Sequence, residues 1–256
     1  MRIIEKMKIV SQNEITKNIF ELILHGELVS TMDLAGQFVN VKVTDTNEPL
    51  LRRPISICNI DHDKKHLTLI YRAEGSGTKL LSTKQVGEDV DILGPLGTGF
   101  DLTEIPSHAT VLLVGGGIGV PPMYEVASRL KATGHKVISV LGFSSKQNVF
   151  YEKQMGEFSD VYVATMDGTH GTKGTVMDAI NIHSLDFDYI LACGPKVMLK
   201  ALDVAFSLSK KGFLSFEERM ACGIGACYAC VCQLESGKQA RVCKEGPVFR
   251  LGEVSI

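Results

Sequence analysis

A mixed β and α/β architecture is what the sequence predicts: an antiparallel β-barrel over residues 1–104, a parallel α/β domain over 105–212 and a small C-terminal domain over 213–256. Three observations predict it. Short strand-like runs separated by Gly, Asn, Asp and Pro fill the first hundred residues. Beyond Pro106 the texture changes to apolar runs alternating with helical stretches. The last 44 residues crowd five cysteines between Cys222 and Cys243.

In the first region the runs are KMKIVSQNEI, NIFELILHG, GQFVNVKV, RRPISICNI, HLTLIYRA and EDVDILGPLG. Regular short strands with turn punctuation suit a small antiparallel barrel. TKLLSTKQ, Thr78 to Gln85, is the one stretch that reads as helix. In the second region ATVLLVGGG, HKVISVLGF, DVYVATMDG and DYILACG read as buried strands. PPMYEVASRLKATG, KQNVFYEKQMGEF, TVMDAINIH and PKVMLKALDVAFSLSKKG read as the helices covering both faces of a parallel sheet.

The C-terminal stretch is too short to build its own apolar core and needs a staple. Cys222, Cys227 and Cys230 stand in a C-x4-C-x2-C run, and Cys243 follows after twelve residues. That is the plant-type ferredoxin spacing for a [2Fe-2S] cluster: three thiolates within nine residues, with Gly223 and Gly225 letting the backbone wrap and turn N–H groups inward. Zinc is the competing reading, although it prefers paired C-x2-C knuckles. Cys232, two positions beyond Cys230 in an extended stretch, reads as a packed thiol. An odd count of seven cysteines, clustered as these are, does not describe a secreted disulfide framework.

Two further segments carry ligand chemistry. Arg53-Pro54-Ile55-Ser56 opens a barrel strand, and Ile70-Tyr71-Arg72 leads into Glu74-Gly75-Ser76-Gly77-Thr78. A flavin dinucleotide needs a cation at its pyrophosphate and a hydroxyl near its ring, which Arg53 and Ser56 can supply. A strand with a basic start and a Gly-containing turn is the plainer reading. Val111–Val114 runs into Gly115-Gly116-Gly117-Ile118-Gly119-Val120-Pro121-Pro122, a strand-to-helix turn whose N–H groups could approach a pyrophosphate. It departs from G-x-G-x-x-G, and tight packing would explain its glycines equally well. Cys193-Gly194-Pro195 repeats the device at a later strand end, where ligands of parallel sheets bind.

Taken in order, RRPISI, the YR run into GSGT, GGGIGVPP, CGP and ERMACGIGACYACVC resemble the ferredoxin-reductase-like flavoprotein superfamily across nearly the whole chain. The likeness is greatest to electron-transfer subunits of bacterial NAD-dependent (class B) dihydroorotate dehydrogenases. The short gap before Cys243 sets the chain apart from ring-hydroxylase reductases, whose gap is much longer.

The resemblance implies FAD held by Arg53, Pro54, Ile55, Ser56, Ile70, Tyr71, Arg72, Gly77 and Thr78. It implies NAD over Gly115, Gly116, Gly117 and Gly119, with its nicotinamide near Cys193, Gly194 and Pro195, and a [2Fe-2S] cluster on Cys222, Cys227, Cys230 and Cys243. It also implies an FMN-containing catalytic partner in a heterotetramer, two of each subunit, with electrons passing from FMN through the cluster and FAD to NAD+ in pyrimidine biosynthesis. No side chain is expected to act as a catalytic acid or base. A ferredoxin–NAD(P), sulfide or hydrogenase oxidoreductase subunit is the alternative within enzymes, and a zinc-stapled binding module the one outside them. After HKVISVLGF the residues Ser144-Ser145-Lys146-Gln147 offer one Lys where a 2′-phosphate would want an Arg fork, so NAD is expected rather than NADP.

Composition narrows the rest. With 45% hydrophobic residues and a net charge of −2, the chain is globular and carries no basic stripe for nucleic acid. No apolar run approaches the ~20 residues of a membrane span, and the N-terminus does not read as a signal peptide, so a cytoplasmic location is expected.

Overall fold

The structure, a computed structural model, describes residues 3–44, 46 and 48–256. These residues form a closed six-stranded barrel, a seven-stranded sheet and a two-stranded ribbon. The barrel comprises β1 (Ile3–Thr16), β2 (Ile19–His25), β3 (Phe38–Lys42), β4 (Arg53–Asp61), β5 (His66–Arg72) and β6 (Asp89–Leu96), in spatial order β1-β2-β5-β4-β3-β6. Every predicted strand of this half is present. Alternation is the cause: in β6, Val90, Ile92 and Leu96 are buried while Asp89 and Asp91, each followed by one of the buried residues, are not. Inward side chains such as Met7, Leu22, Val41, Ile57 and Leu69 fill the barrel, and closure leaves no sheet edge for aggregation. The helix α1 spans Ser76–Leu81, two residues earlier than expected and shorter, because Gly75 in extended conformation starts it.

The second region supplies β7 (Thr110–Gly116), α2 (Val120–Ala132), β8 (Lys136–Phe143), α3 (Glu152–Met155), β9 (Asp160–Thr165), β10 (Thr172–Lys173), α4 (Val176–Ile182), β11 (Tyr189–Cys193), α5 (Lys196–Phe206) and β12 (Lys211–Ser215). Val111, Leu112, Leu113 and Val114 are all fully buried, as a strand covered on both faces must be. Truncating one, as in Leu112→Ala, would cost about 2–5 kcal/mol. The long helix expected over KQNVFYEKQMGEF is only the single turn of α3 after a 3-10 turn, Lys146–Asn148.

The strand order is β10-β9-β8-β7-β11-β12, with β15 (Val248–Arg250) of the C-terminal stretch added beyond β12. The chain builds outward from β7 through β8, β9 and β10, then returns to lay β11 on the other flank of β7. That reversal creates a crevice at the carboxyl ends of β7 and β11, where Gly115 is register partner of Cys193.

The C-terminal stretch departs from expectation in two ways. The cut between residues 212 and 213 falls inside β12, which pairs in parallel with β11 from Lys211 to Ser215. The tail then returns a strand, β15 (Val248–Arg250), antiparallel to β12. Its remaining regular structure is the ribbon of β13 (Val231–Gln233) and β14 (Gln239–Arg241). Rather than lacking a core, the tail borrows one: Cys230, Cys243, Val242 and Phe249 pack with Leu214, Phe216 and Leu199 of the sheet layer. Among the described residues no helix is long and apolar enough to cross a membrane.

Barrel and sheet are joined by polar ties as well as apolar packing. Glu125 of α2, 5% exposed, accepts from the Ile60 amide of β4 at 3.0 Å and from Arg129 Nε at 2.7 Å. Arg129 in turn donates to the Asp33 carbonyl.

Candidate functional site

The two arginines that open β4 have different fates. Arg52 pairs with Asp91 at 2.9 Å and donates to the Asn40 and Asp91 carbonyls, which makes it a tie within the barrel. Arg53 donates to the Leu51 carbonyl at 2.5 Å and lays its guanidinium over α1, where a Cβ on Gly77 would stand 2.7 Å from Arg53 Nε. Only a residue without a side chain leaves that cation room against the helix, and its remaining donors suit a phosphate.

Beside Arg53 lies a cavity of about 230 Å³ bordered by Pro54, Ile55, Ser56, Ile70, Tyr71, Arg72 and Thr78 from the barrel. Ile118 closes it from the nucleotide side, and Ser215, Phe216, Glu217, Glu218 and Met220 from the chain after β12. Tyr71 borders this space, but its ring stacks on Phe20 at 5.8 Å and its hydroxyl donates to Gln12 Oε1 at 3.0 Å. The ring is therefore committed to the barrel and is not free to lie against a flavin. Glu217 borders the cavity while remaining partly open to solvent. Partial removal of its carboxyl from water raises its pKa, with the Arg72 charge pulling the other way.

A larger cleft, about 620 Å³, runs along the carboxyl ends of the parallel strands. Gly116 and Gly117, Pro195, Met198, Phe143, Ser144 and Thr175 line it from the sheet side, and Lys17, Ile19 and Arg72 from the barrel. The turn at its floor owes its shape to close backbone approach: a Cβ on Gly119 would stand 2.5 Å from the carbonyl carbon of Cys193. Pro121 and Pro122 then occupy the first turn of α2, where a missing N–H costs nothing. Cys193 itself is buried, and burial pushes its thiol up to about 12; the Glu217 charge adds to this and a hydrogen bond from Ser215 opposes it. Such a thiol stays protonated and is no nucleophile. Gly115 and Gly119 are buried beneath the turn rather than on the cleft wall, so they shape the seat instead of lining it.

The four cysteines nominated as ligands gather in two pairs. The Cys222 and Cys227 side chains lie beside each other, as do those of Cys230 and Cys243. Among the described residues no group of three His, Cys, Asp or Glu converges on one metal-ion position. A two-by-two division is the arrangement that a pair of bridged irons requires, each iron taking two thiolates. The amides of Ile224 and Ala226 both donate to Cys222 Sγ at 3.4 Å, and the Cys243 amide to Cys230 Sγ at 3.5 Å. Burial works against ionising Cys222, but these N–H groups and Cys227 outweigh it and bring the thiol down to about 6. Anionic sulfur with inward N–H donors fits a cluster site. Gly223 and Gly225 adopt φ of +67° and +83°, and a Cβ on Gly223 would collide with the Asn40 carboxamide. Arg241 ties the loop down by donating to the Gly225 carbonyl at 2.6 Å. Cys232 lies on β13, buried in the core shared with Ala240.

Sequence reasoning did not nominate Lys17, Phe143, Phe150 or Met198 for the cleft, nor Glu217 and Met220 for the flavin-sized cavity. The first four carry no local motif, since the fold assembles them from separate elements. Met220 lies in the ERMACGIGACYAC run and Glu217 one residue before it, in a stretch whose signal the cysteines dominate.

Comparison with known proteins agrees with this layout. The "oxidoreductase FAD-binding domain" family matches residues 3–100, the "oxidoreductase NAD-binding domain" family 113–203, and the "iron-sulfur cluster binding domain of dihydroorotate dehydrogenase B" 217–255. Proteins of Bacillus cereus (strain B4264) and Bacillus mycoides (strain KBAB4), both named dihydroorotate dehydrogenase B (NAD(+)), electron transfer subunit, are each 55% identical over 256 residues, covering 98% of this chain and 98% of theirs. The solved NADH-dependent reduced ferredoxin-NADP oxidoreductase is 30% identical with a TM-score of 0.87 over 98% of this chain and 90% of that one. A ferredoxin-NADP+ reductase from Plasmodium falciparum, 15% identical with a TM-score of 0.65 over 80% of this chain and 93% of that one, shares the fold. With its flavin, nucleotide and iron–sulfur domains in this order and its likeness extending over the full length, the chain belongs to the electron-transfer subunits of dihydroorotate dehydrogenase B.

Proposed function

We propose that this chain carries electrons from the FMN of a dihydroorotate-oxidising partner subunit to NAD+, by way of a [2Fe-2S] cluster and FAD, in a cytoplasmic heterotetramer with two subunits of each kind. When bound, the cluster supplies single-electron transfer and the flavin couples single electrons to the hydride pair that a nicotinamide takes.

One observation carries the reading: the three candidate sites are contiguous. Arg72 borders both the nucleotide cleft and the flavin-sized cavity, and a Cβ on Gly117 would stand 3.6 Å from its Nη2, so its cation lies between the two. On the other side β3 runs from Phe38, which borders the flavin-sized cavity, to Asn40, which donates to the Cys222 carbonyl at 3.5 Å. Met220 borders that cavity two residues before the first cluster cysteine.

Within this arrangement Arg53 and the start of α1 would hold the FAD pyrophosphate, Ser56 the flavin ring edge, and the Gly116–Gly119 turn the NAD pyrophosphate. Cys222 with Cys227, and Cys230 with Cys243, would each hold one iron. The protein's work is to position these groups and exclude water; no side chain moves a proton in the transfer itself. Tyr228, 62% exposed, and Ile224, 39% exposed, support the reading that this loop would meet the partner.

The test is anaerobic purification with and without the neighbouring dehydrogenase subunit, followed by iron, acid-labile sulfide and flavin analysis and an NAD+-dependent orotate-formation assay. Iron and sulfide at two per chain with orotate formation in the complex is the expected result. The likeness to the ferredoxin-linked oxidoreductase supports a second reading, in which ferredoxin is the electron partner. Recovery of a ferredoxin and no orotate formation would favour that one. Rates with NADH above those with NADPH are expected, because Ser144 and Ser145 both direct their hydroxyls to Asn148 Oδ1, at 2.6 and 2.8 Å, and leave Lys146 as the lone cation of that turn.

A further inference from the structure

Where the barrel meets the nucleotide domain, the cleft wall is held by two hydrogen bonds in an ordered pattern. On the barrel side Thr16 bonds across the seam, Lys17 and Ile19 line the cleft, and Glu21 bonds across the seam again. On the facing segment the order repeats: Gln147 bonds, Asn148 and Phe150 line, Tyr151 bonds. Thr16 Oγ1 donates to the Gln147 carbonyl at 2.6 Å, and Tyr151 Oη donates to Glu21 Oε2 at 2.6 Å.

The Tyr151 bond is the deeper of the two. Tyr151 is 8% exposed, meets Tyr124 edge to face at 5.3 Å, and has its hydroxyl near the buried Cys58 thiol. Its backbone stands in the left-handed region, φ 62° and ψ 10°, a conformation that a bulky residue adopts only when its surroundings over-determine it. The sharp reversal there turns Phe150 into the cleft, where it meets Phe143 at 5.4 Å, while sending the next side chain across the seam.

We infer that Tyr151 is a positioning residue for the nicotinamide nucleotide: its hydroxyl bond to Glu21 holds the 147–151 segment against the barrel and so sets the opening of the cleft that Asn148 and Phe150 share with Lys17 and Ile19. Tyr151 touches no ligand itself in this role. The inference rests on the large cleft being the NAD site.

The experiment uses the full chain with its flavin and cluster loaded. Tyr151→Phe keeps the ring and the backbone conformation and removes only the bonding hydroxyl. The KM for NADH in dye reduction should rise at least threefold with kcat within twofold, with flavin and iron content as in the parent and Tm lowered by no more than a few degrees. Glu21→Ala should reproduce the effect, Glu21→Gln, which retains a carbonyl acceptor, should restore most of the affinity, and the double variant Tyr151→Phe/Glu21→Ala should be no worse than either single change. An unchanged KM in Tyr151→Phe, a fall in kcat of the same size, or additive losses in the double variant would overturn the assignment. If the parent protein reduces dye with NADH and the variant matches it, only the seam role fails; if a Gly119→Ala protein of native flavin and iron content also keeps the parent KM, the cleft is not the nucleotide site and both readings fall.

Discussion

The nucleotide turn and the cluster loop are both glycine-rich, yet they are shaped by different forces. Gly115 to Gly119 sits between two fully buried parallel strands, and its course is imposed by backbone packed against backbone at Cys193. The stretch from Cys222 to Cys230 is mostly at the surface, Cys227 and Tyr228 being exposed, and is steered by a few polar ties to Asn40 and Arg241. The first is fixed by packing alone; the second has its thiols and N–H donors in place, and bound iron would add a further tie, as in small metal-stapled segments.

The largest effect should come from breaking the metal side of that contrast. Cys230→Ser removes one member of the buried Cys230–Cys243 pair. Iron and labile sulfide should fall to near zero and dihydroorotate-dependent NAD+ reduction should drop at least a hundredfold, while NADH-driven dye reduction through the flavin stays within a few-fold. Loss of both activities together would mean that the loop also carries the fold of the nucleotide sheet. On the rigid side, Gly119→Ala introduces a methyl where no space exists, and overpacking of that kind costs about 1–3 kcal/mol. A KM for NADH raised tenfold or more with the visible cluster spectrum unchanged is the expected outcome of steady-state kinetics and absorption.

The same contrast explains what could be read from the sequence. The six barrel strands and the four central parallel strands announce themselves by alternation or by continuous burial, and the cysteine spacing by itself names the four ligands proposed here. What escaped notice depends on contacts distant along the chain. β15 is three residues long and exists because β12 offers it an edge. Arg52 and Arg53 are adjacent in sequence, and only the position of Asp91, 39 residues away, decides which of them is left for a phosphate. Lys17 and Phe150 meet across a domain seam with no local signature. The bend at Tyr151 broke a helix that the apolar pattern of KQNVFYEKQM had suggested.

The rigid frame of the nucleotide turn extends through α2 to the barrel, and Glu125 tests how far. Its carboxylate satisfies the Ile60 amide and Arg129 Nε in a buried setting. Glu125→Ala leaves that amide without a partner, at a cost of about 1–3 kcal/mol, more if the Arg129 charge is stranded as well. For a chain of this size that corresponds to a Tm lowered by roughly 2–4 °C per kcal/mol. Thermal denaturation should show it, with cofactor content at 25 °C unchanged. A variant with normal Tm would place the strength of the interface in its apolar packing instead.

The smallest effect belongs to the polar ties of the loop. Arg241 donates to the Gly225 carbonyl, pairs with Glu245 through Nε at 3.0 Å and lies 4.7 Å from the centre of the Tyr228 ring. It therefore joins the turn bearing Cys243 to the loop bearing the other three cysteines. At the surface both this guanidinium-to-carbonyl hydrogen bond and the ion pair are screened by water and contribute modestly. Arg241→Ala should accordingly assemble a cluster of normal iron content and spectrum but lose it two- to tenfold faster to a chelator, with no change in the KM for NADH. Unaltered cluster lifetime would show that the thiolates and their N–H donors alone hold the loop, and would make it more like the nucleotide turn than its surface position suggests.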